Sequence, residues 1–167
     1  QYLRYLKESS SKALTTLEEL NEVLKLKQNE SIEKQLLHFE QVFNQIKAMI
    51  SAKIAETSAE IRADFSQAPS IYYPNIYLES IFLNLLTNAL RKRQRENAHV
   101  AVEVRLTVSP LACLTVTDSG GPAPEHVARN LFLSPVASDF GLGVGLYQAA
   151  RQAARVGYRL ELPDNQA

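Results

Sequence analysis

The chain has 167 residues, and several residue types and sequence features are scarce in it. Each scarcity excludes a class of structure or function. It has one cysteine, so an internal disulfide is impossible and a reducing, cytoplasmic location is expected. Basic and acidic residues balance at 18 each, so no basic surface for nucleic acid is predicted. The apolar runs are far shorter than the roughly 20 residues that cross a bilayer, and no signal peptide is recognisable.

Glycine is scarce as well, and three of the six glycines alternate in the segment Gly141-Leu142-Gly143-Val144-Gly145. This segment lacks the GxGxxG spacing of dinucleotide-binding turns and the Gly-Lys-Ser/Thr of P-loops. Because a helical pattern follows, the segment could present backbone amides to an anion at a helix N-terminus. A flexible hinge is the alternative interpretation.

The first 29 residues are predicted to form a separate segment. Apolar positions over residues 2–27 recur with a period near 3.5, which predicts a long helix with a narrow apolar stripe. Such a helix needs a partner helix, so we expect a homodimer through it. The chain begins within this helical pattern, and we therefore expect it to be a piece of a longer protein.

Residues 30–167 are predicted to form an α/β domain. The patterns indicate strands at 32–38, 59–65, 100–109, 111–117 and 158–162, and helices at 39–57, 76–95, 125–132 and 144–155. Residues 67–70 are predicted to be a loop. Asn75 is expected to cap the helix that follows it, and Gly157 to end the last helix. The simplest arrangement is a two-layer sandwich, a mixed sheet with helices on one face, preceded by the long helix.

Two carboxamides and two cations share one stripe of the predicted helix 76–95. Asn84 and Asn88 are four residues apart, and Arg91 and Lys92 extend their face, while the opposite face is expected to be apolar. An amide oxygen can ligate Mg²⁺, and cations can neutralise phosphate oxygens. A solvated helix face is the simpler interpretation. However, two asparagines one turn apart weaken a helix, which indicates a function.

An aspartate at a predicted strand end is the third feature. Asp118 is followed by Ser119, Gly120 and Gly121. A carboxylate can accept a hydrogen bond from an exocyclic amine such as that of adenine, and Gly120 lets a flat ligand approach the backbone. Taken alone, an ordinary Asp-Ser-Gly turn would explain the same residues.

In this order the three segments resemble the catalytic and ATP-binding domain of sensor histidine kinases, within the GHKL superfamily. Residues 84–92 resemble its N box, 118–120 its G1 box and 141–145 its G2 box, and Leu131-Phe132 resembles the F box. The resemblance covers about residues 32–162. Residues 2–28 look like the second helix of the dimerisation and phospho-transfer domain that precedes it in this family.

The resemblance implies ATP and Mg²⁺ as cofactors and a role for each residue. Asn88 would ligate Mg²⁺ with the help of Asn84, and these two would be the catalytic residues. Asp118 would hold the adenine amino group, and Gly120 would make room for the ring. The phosphates would be contacted by Arg91, Lys92, Gly141, Leu142, Gly143, Val144 and Gly145, under a lid formed by residues 134–140.

The implied reaction is phosphoryl transfer to a histidine and then to the receiver domain of a response regulator. The acceptor is expected outside this chain: His38 falls in a predicted strand, and His99 and His126 are expected at the surface. Hydrolytic members of the superfamily carry glutamate in the position of Asn84, so its absence favours transfer over hydrolysis.

Several alternatives remain at the level of sequence. Pro122 stands where the family has a second glycine and Lys92 where it has an aromatic residue. These departures leave open a degenerate GHKL domain that acts as a non-catalytic dimerisation or regulatory module. A helical interaction protein and a protein-serine kinase of the anti-sigma type are others. Lysine predominates before residue 91 and arginine after it, which also permits a junction of two sequences near residues 91–97.

Overall fold

The computed structural model describes residues 33–92, 101–109, 111–119 and 144–161, with Arg91 and Lys92 described by their backbone alone. These residues fall in two compact units, one containing residues 33–119 and the other residues 144–161. The predicted helices 2–27 and 125–132, and the predicted lid, lie outside the described residues. The boundary between residues 29 and 30 therefore stays a prediction.

The first unit contains a mixed sheet. Its described elements are β1 (Gln35–His38), α1 (Phe39–Met49), α2 (Ser51–Thr57), β2 (Glu60–Asp64), β3 (Ser70–Tyr73), α3 (Asn75–Lys92), β4 (Ala101–Thr107) and β5 (Cys113–Asp118). Strand β4 pairs in parallel with β2 and antiparallel with β5, and β1 and β3 form a separate antiparallel pair. The predicted α/β class and the mixed sheet are confirmed, and the predicted neighbouring strands 100–109 and 111–117 are found as the antiparallel pair β4 and β5.

Helices cover one face of the three-stranded sheet. Along β4 the side chains alternate, with Val102 and Val104 buried and Glu103 and Arg105 exposed on the other face. Helix α3 packs against β5, and α1 and α2 pack against α3. The exposed face carries charged side chains, such as the Glu103–Arg105 pair at 2.6 Å. This is the predicted two-layer arrangement, with period-two alternation separating core from solvent.

Four phenylalanines join the helices to the end of β2. The Phe39 and Phe65 rings stack at 5.4 Å between centroids, and Phe82 of α3 meets Phe39, Phe43 and Phe65 edge-on at 5.7–6.4 Å. Edge-to-face and offset stacked pairs add to the free energy of burying these rings. The cluster fixes the position of α3, the helix that carries the asparagine pair.

Two elements of this unit differ from the sequence prediction. Strand β3 was not predicted, because its four residues between Pro69 and Pro74 are too few to show alternation, and pairing with β1 decides their conformation. The predicted helix 39–57 is two helices, since Ile50 leaves helical geometry at ψ 13°. Met49 shares the helical spacing of the apolar residues in the predicted helix 39–57, which predicts burial, but it is 69% exposed beside this break.

The start of α3 lies one residue earlier than predicted. Asn75 is the first helical residue and not the cap. The carbonyl oxygen of Pro74 accepts from the backbone N–H groups of Tyr77 and Leu78 at 3.1 and 3.2 Å. The side-chain amide of Asn75 donates to Glu79 instead, at 2.7 Å. Proline supplies the extended entry because it cannot donate and disfavours helix in the residue before it.

The described part of the second unit consists of helix α4 (Val144–Arg155) and its C-terminal turn. Gly157 has φ +91°, its N–H donates to Ala154 at 3.2 Å, and the N–H of Tyr158 donates to Ala153 at 3.0 Å. This is a Schellman motif, so the predicted helix and its terminating glycine are confirmed. The predicted strand 158–162 is wrong for residues 158–161, which form no strand. Among the described helices, none is long and apolar enough to span a bilayer.

Candidate functional site

The asparagine pair lies at the edge of the buried stripe of α3. Phe82, Leu86 and Leu90 are fully buried along this helix, whereas Asn84 and Asn88 are half-buried. The pair was expected on a face opposite the apolar one. It flanks the apolar stripe instead, because the stripe of this helix is broad. The two amides are therefore partly shielded from water, which strengthens any electrostatic contact they make.

The two carboxamides differ in what holds them. Nδ2 of Asn84 donates to Oγ of Ser80 at 3.3 Å. Within the described residues, the side chain of Asn88 makes no hydrogen bond. The hydroxyl of Thr87, between them in sequence, donates to the carbonyl of Leu83 at 2.6 Å and makes a second contact of 3.3 Å with the carbonyl of Asn84. The carboxamide oxygen of Asn88 is thus available to a ligand outside the protein.

The donor atoms on α3 suit one kind of metal ion. Across the described residues, no group of three or more His, Cys, Asp or Glu side chains could hold a metal. An ion beside Asn88 would have amide oxygens from the protein and would need oxygens from a ligand or water for its remaining positions. Magnesium is commonly bound in this way, with few protein ligands and several phosphate or water oxygens.

Helix α3 continues for one turn beyond the asparagine pair. Arg91 and Lys92 both belong to the helix, as the sequence predicts. Their side chains lie outside the described atoms, so their contact with phosphates stays a prediction. Gly120, Gly141, Leu142 and Gly143 also lie outside the described residues.

Asp118 is the last residue of β5 and lies on the helix-covered side of the sheet. It pairs with Val102, whose side chain is buried, and it is half-buried itself. The ladder continues one residue further: the N–H of Ser119 donates to Ala101 at 3.1 Å, and the N–H of Ala101 donates to Oγ of Ser119 at 3.2 Å. The backbone of this strand end is therefore fixed. Asp118 and the asparagine pair share one compact unit and one side of the sheet.

The glycine-rich segment leads directly into α4. The helix begins at Val144, which is buried, and Gly145 is its second residue. The first backbone N–H groups of a helix have no intrahelical partner and carry partial positive charge. The predicted helix start is confirmed, and the anion-binding role of the segment stays a prediction.

Two polar features of the helices were not predicted. Ser80 contacts Asn84, and the spacing of four residues could have indicated this contact. Gln148 and Gln152 of α4 are buried, at 1% and 4% exposure. A pattern based on polarity predicts that glutamine is exposed. Both residues nevertheless follow the buried Val144 at intervals of four residues, and this spacing could have indicated that they lie on the same buried face of α4.

His38 lies at the end of β1, as predicted. It pairs with Ser70 of β3, its side chain is exposed, and it makes no capping hydrogen bond to α1. The predicted strand position of His38 is therefore confirmed, and an acceptor histidine outside this chain stays a prediction. His99 and His126 lie outside the described residues.

A family profile matches more than half of the chain. The profile of histidine kinase-, DNA gyrase B- and HSP90-like ATPases matches residues 75–166. The matched range includes α3, the β4–β5 hairpin and α4, and with them every predicted site residue. No curated protein matches the chain.

Solved structures of histidine kinases have the same fold. Full-length ShkA in complex with AMPPNP has a TM-score of 0.74 at 22% identity, covering 93% of this chain and 34% of that one. Acinetobacter baumannii AdeS has a TM-score of 0.69 at 17% identity, covering 91% of this chain and 72% of that one. The mycobacterial sensor MprB has a TM-score of 0.61 at 22% identity, covering 80% and 89%. This chain thus spans about a third of full-length ShkA.

Proposed function

Because the chain belongs to the family of histidine kinase-, DNA gyrase B- and HSP90-like ATPases, we propose that residues 30–167 are the ATP-binding catalytic region of a two-component sensor histidine kinase. Residues 1–29 would be the last helix of its dimerisation domain. The observation that carries the proposal is the arrangement of the first unit. A half-buried asparagine pair and a half-buried strand-end aspartate lie on the same side of one sheet.

In this proposal α3 is the metal and phosphate side of the site. The amide oxygen of Asn88 ligates the Mg²⁺ that accompanies the nucleotide, and Asn84 assists it. Arg91 and Lys92 neutralise phosphate oxygens one turn further along the helix. A bound Mg²⁺ supplies charge stabilisation on the phosphates, and the chain contributes the position of its amides.

The adenine side of the site begins at Asp118. Its carboxylate accepts a hydrogen bond from the exocyclic amine of adenine, and Gly120 leaves room for the ring. Guanine presents a carbonyl oxygen where adenine presents this amine, so the contact selects ATP. As the family resemblance implies, we propose that backbone amides of Gly143 and Gly145 contact the phosphates.

The reaction is transfer of the γ-phosphoryl group. The bond between the γ-phosphorus and the bridging oxygen breaks, and a bond forms to an imidazole nitrogen of a histidine outside this chain. ADP leaves, and the imidazole N–H proton passes to solvent. Catalysis of such a step consists mainly of positioning and charge neutralisation. Asn84 provides no base to activate water, which favours transfer to a side chain over hydrolysis.

Two solved relatives indicate what the whole protein could bind. ShkA was solved with AMPPNP, and ThkA was solved with the response regulator TrrA at a TM-score of 0.67 and 16% identity. By extension, we propose that this chain binds an adenine nucleotide and that its intact protein passes the phosphoryl group to a receiver domain. Residues 1–29 would pair two copies.

The direct test is binding of a fluorescent adenine nucleotide with Mg²⁺ and with EDTA. We expect saturable binding that Asn88→Ala weakens only in Mg²⁺ and that Asp118→Asn weakens in both. Asn44→Ala is the matched control for the first, since Asn44 is an exposed helical asparagine on α1. Asp64→Asn is the control for the second, because Asp64 also ends a strand but lies on the solvent face.

The outcomes separate the proposed function from its alternative. Equal losses in the control variants would show that the effects arise from general destabilisation. A folded chain that binds no nucleotide would reject the proposal and favour the degenerate, non-catalytic module. If nucleotide binds, the next test is transfer of ³²P from ATP to a separate histidine domain.

A further inference from the structure

The carboxamide of Asn84 is held by a hydroxyl one helical turn before it. Its Nδ2 donates to Oγ of Ser80 at 3.3 Å, and both residues are half-buried. We propose that Ser80 is a positioning residue for nucleotide binding, because it engages Nδ2 of Asn84 and so leaves Oδ1 for the Mg²⁺ that accompanies the nucleotide, or for a water of its shell. This inference rests on the proposed function and adds a residue to it.

The two ends of a carboxamide are not equivalent for a cation. Oδ1 is an acceptor and can ligate Mg²⁺ or a water of its shell, whereas the Nδ2 group carries two donors and repels a cation. When Oδ1 faces the ion, Nδ2 needs an acceptor elsewhere. Ser80 supplies that acceptor, so the orientation that suits the ion is also the one that satisfies the amide.

The bond is expected to strengthen when the nucleotide binds. A distance of 3.3 Å is slightly longer than is usual for N–H···O bonds. A cation on Oδ1 draws electron density from the amide and makes Nδ2–H a better donor, since linked hydrogen bonds polarise one another. The contribution of Ser80 should therefore depend on the metal.

Another hydroxyl on the same helix provides a matched control. Thr87 Oγ1 donates to the carbonyl of Leu83 at 2.6 Å and makes a second contact of 3.3 Å with the backbone carbonyl of Asn84, and among the described residues it contacts no carboxamide. Thr87→Val removes this hydroxyl and keeps the shape of the side chain. It tests whether loss of any hydroxyl on α3 gives the effect expected of Ser80→Ala.

The experiment compares nucleotide affinity in Mg²⁺ and in EDTA for the full chain. Ser80→Ala should reduce the gain in affinity that Mg²⁺ provides by about 3- to 10-fold, the value of one hydrogen bond. Its affinity in EDTA should stay within about twofold of the wild type. Ser80→Thr keeps a hydroxyl, so its gain in affinity from Mg²⁺ should be close to that of the wild type. Thr87→Val should also leave this gain unchanged. Equal weakening in both buffers, or no rescue by Ser80→Thr, would overturn the inference.

A double-substitution cycle isolates the contact. In an Asn84→Ala background, Ser80→Ala should cause no further loss, because its partner is already absent. An equal loss in both backgrounds would overturn the positioning role. If Asn84→Ala weakens binding and Ser80→Ala does not, the inference alone fails. If the folded wild type binds no nucleotide in Mg²⁺, the proposed function fails, and the inference fails with it.

Discussion

Two glutamines in the buried stripe of α4 should respond in opposite directions to the same substitution. Gln148 is 1% exposed and has an interaction partner, whereas Gln152 is 4% exposed. Within the described residues, Oε1 of Gln152 has no hydrogen-bond partner. In the unfolded chain this oxygen is hydrated. Its burial without a donor therefore costs about 1–3 kcal/mol.

Gln152→Met removes that cost and keeps a flexible side chain of similar length. We expect the free energy of unfolding to rise by about 1 kcal/mol, less than the full cost because methionine does not match the shape of the amide. Gln148→Met makes the same chemical change, but it removes an amide that has a partner. It should lower the free energy of unfolding by about 1–3 kcal/mol.

Urea unfolding of the wild type and the two variants, followed by circular dichroism, measures both effects. The midpoints should move to opposite sides of the wild type at an unchanged denaturant slope, which would show that native stability has changed. A lower midpoint for Gln152→Met would refute the reasoning, since it would mean that the buried oxygen is satisfied. Shifts in the same direction would show that packing outweighs hydrogen bonding along this stripe.

Three further predictions concern single residues. In urea titrations, Phe82→Ala should lower the free energy of unfolding by about 3–5 kcal/mol, because it leaves a cavity at the centre of the phenylalanine cluster. The control Tyr72→Ala should lower it by less than about 0.5 kcal/mol, because Tyr72 is 65% exposed. Gly157→Ala should lower the free energy of unfolding by about 1–2 kcal/mol, because alanine is strained at φ +91°. A Cβ at this position meets no atom within 4 Å, so the loss comes from backbone strain alone. Gly157→Asn should lower it by less, because asparagine tolerates positive φ better. The pKa of Asp64 should lie below its ordinary value of 3.8 in an NMR titration, because Ser66 donates its hydroxyl and its backbone N–H to the carboxylate, with Arg105 assisting. A depressed folded pKa stabilises the protein above the unfolded pKa, so this contribution should disappear as pH falls through the folded pKa and should be absent in Asp64→Asn.

Elements with strong local signals were predicted from the sequence alone. Helix α4 ends as predicted, because Gly157 supplies the positive φ that a Schellman motif requires. The β4–β5 hairpin follows from alternation on both sides of a short turn. In each case the signal lies within a few residues of the structure it specifies.

Elements decided by distant contacts were not predicted. Strand β3 is determined by pairing with β1, which lies more than thirty residues earlier in the sequence. Its four residues alone do not indicate a strand. The burial of Gln148 and Gln152 depends on packing that a polarity pattern does not record. The same limit applies to Met49, whose exposure follows from the break at Ile50.

The candidate site combines both kinds of information. The chemical identity of Asn84, Asn88 and Asp118 and their order along the chain could be recognised from the sequence. Their position on one side of the sheet required the β4–β5 register, which pairs Asp118 with the buried Val102. The contact of Asn84 with Ser80 required side-chain geometry.

Helix α3 contributes both to the core and to the candidate site, and the residues for the two roles lie on adjacent stripes of the same helix. The residues that face the core, such as Phe82 and Leu86, determine where the helix lies, and Asn84 and Asn88 occupy the adjacent stripe. Because a helix is stiff over two turns, a shift caused by the core would move the amides by a similar distance. Core substitutions on α3 should therefore alter metal-dependent nucleotide binding as well as stability. Substitutions of Ser80 should alter binding alone, and this difference separates positioning of one side chain from positioning of the helix.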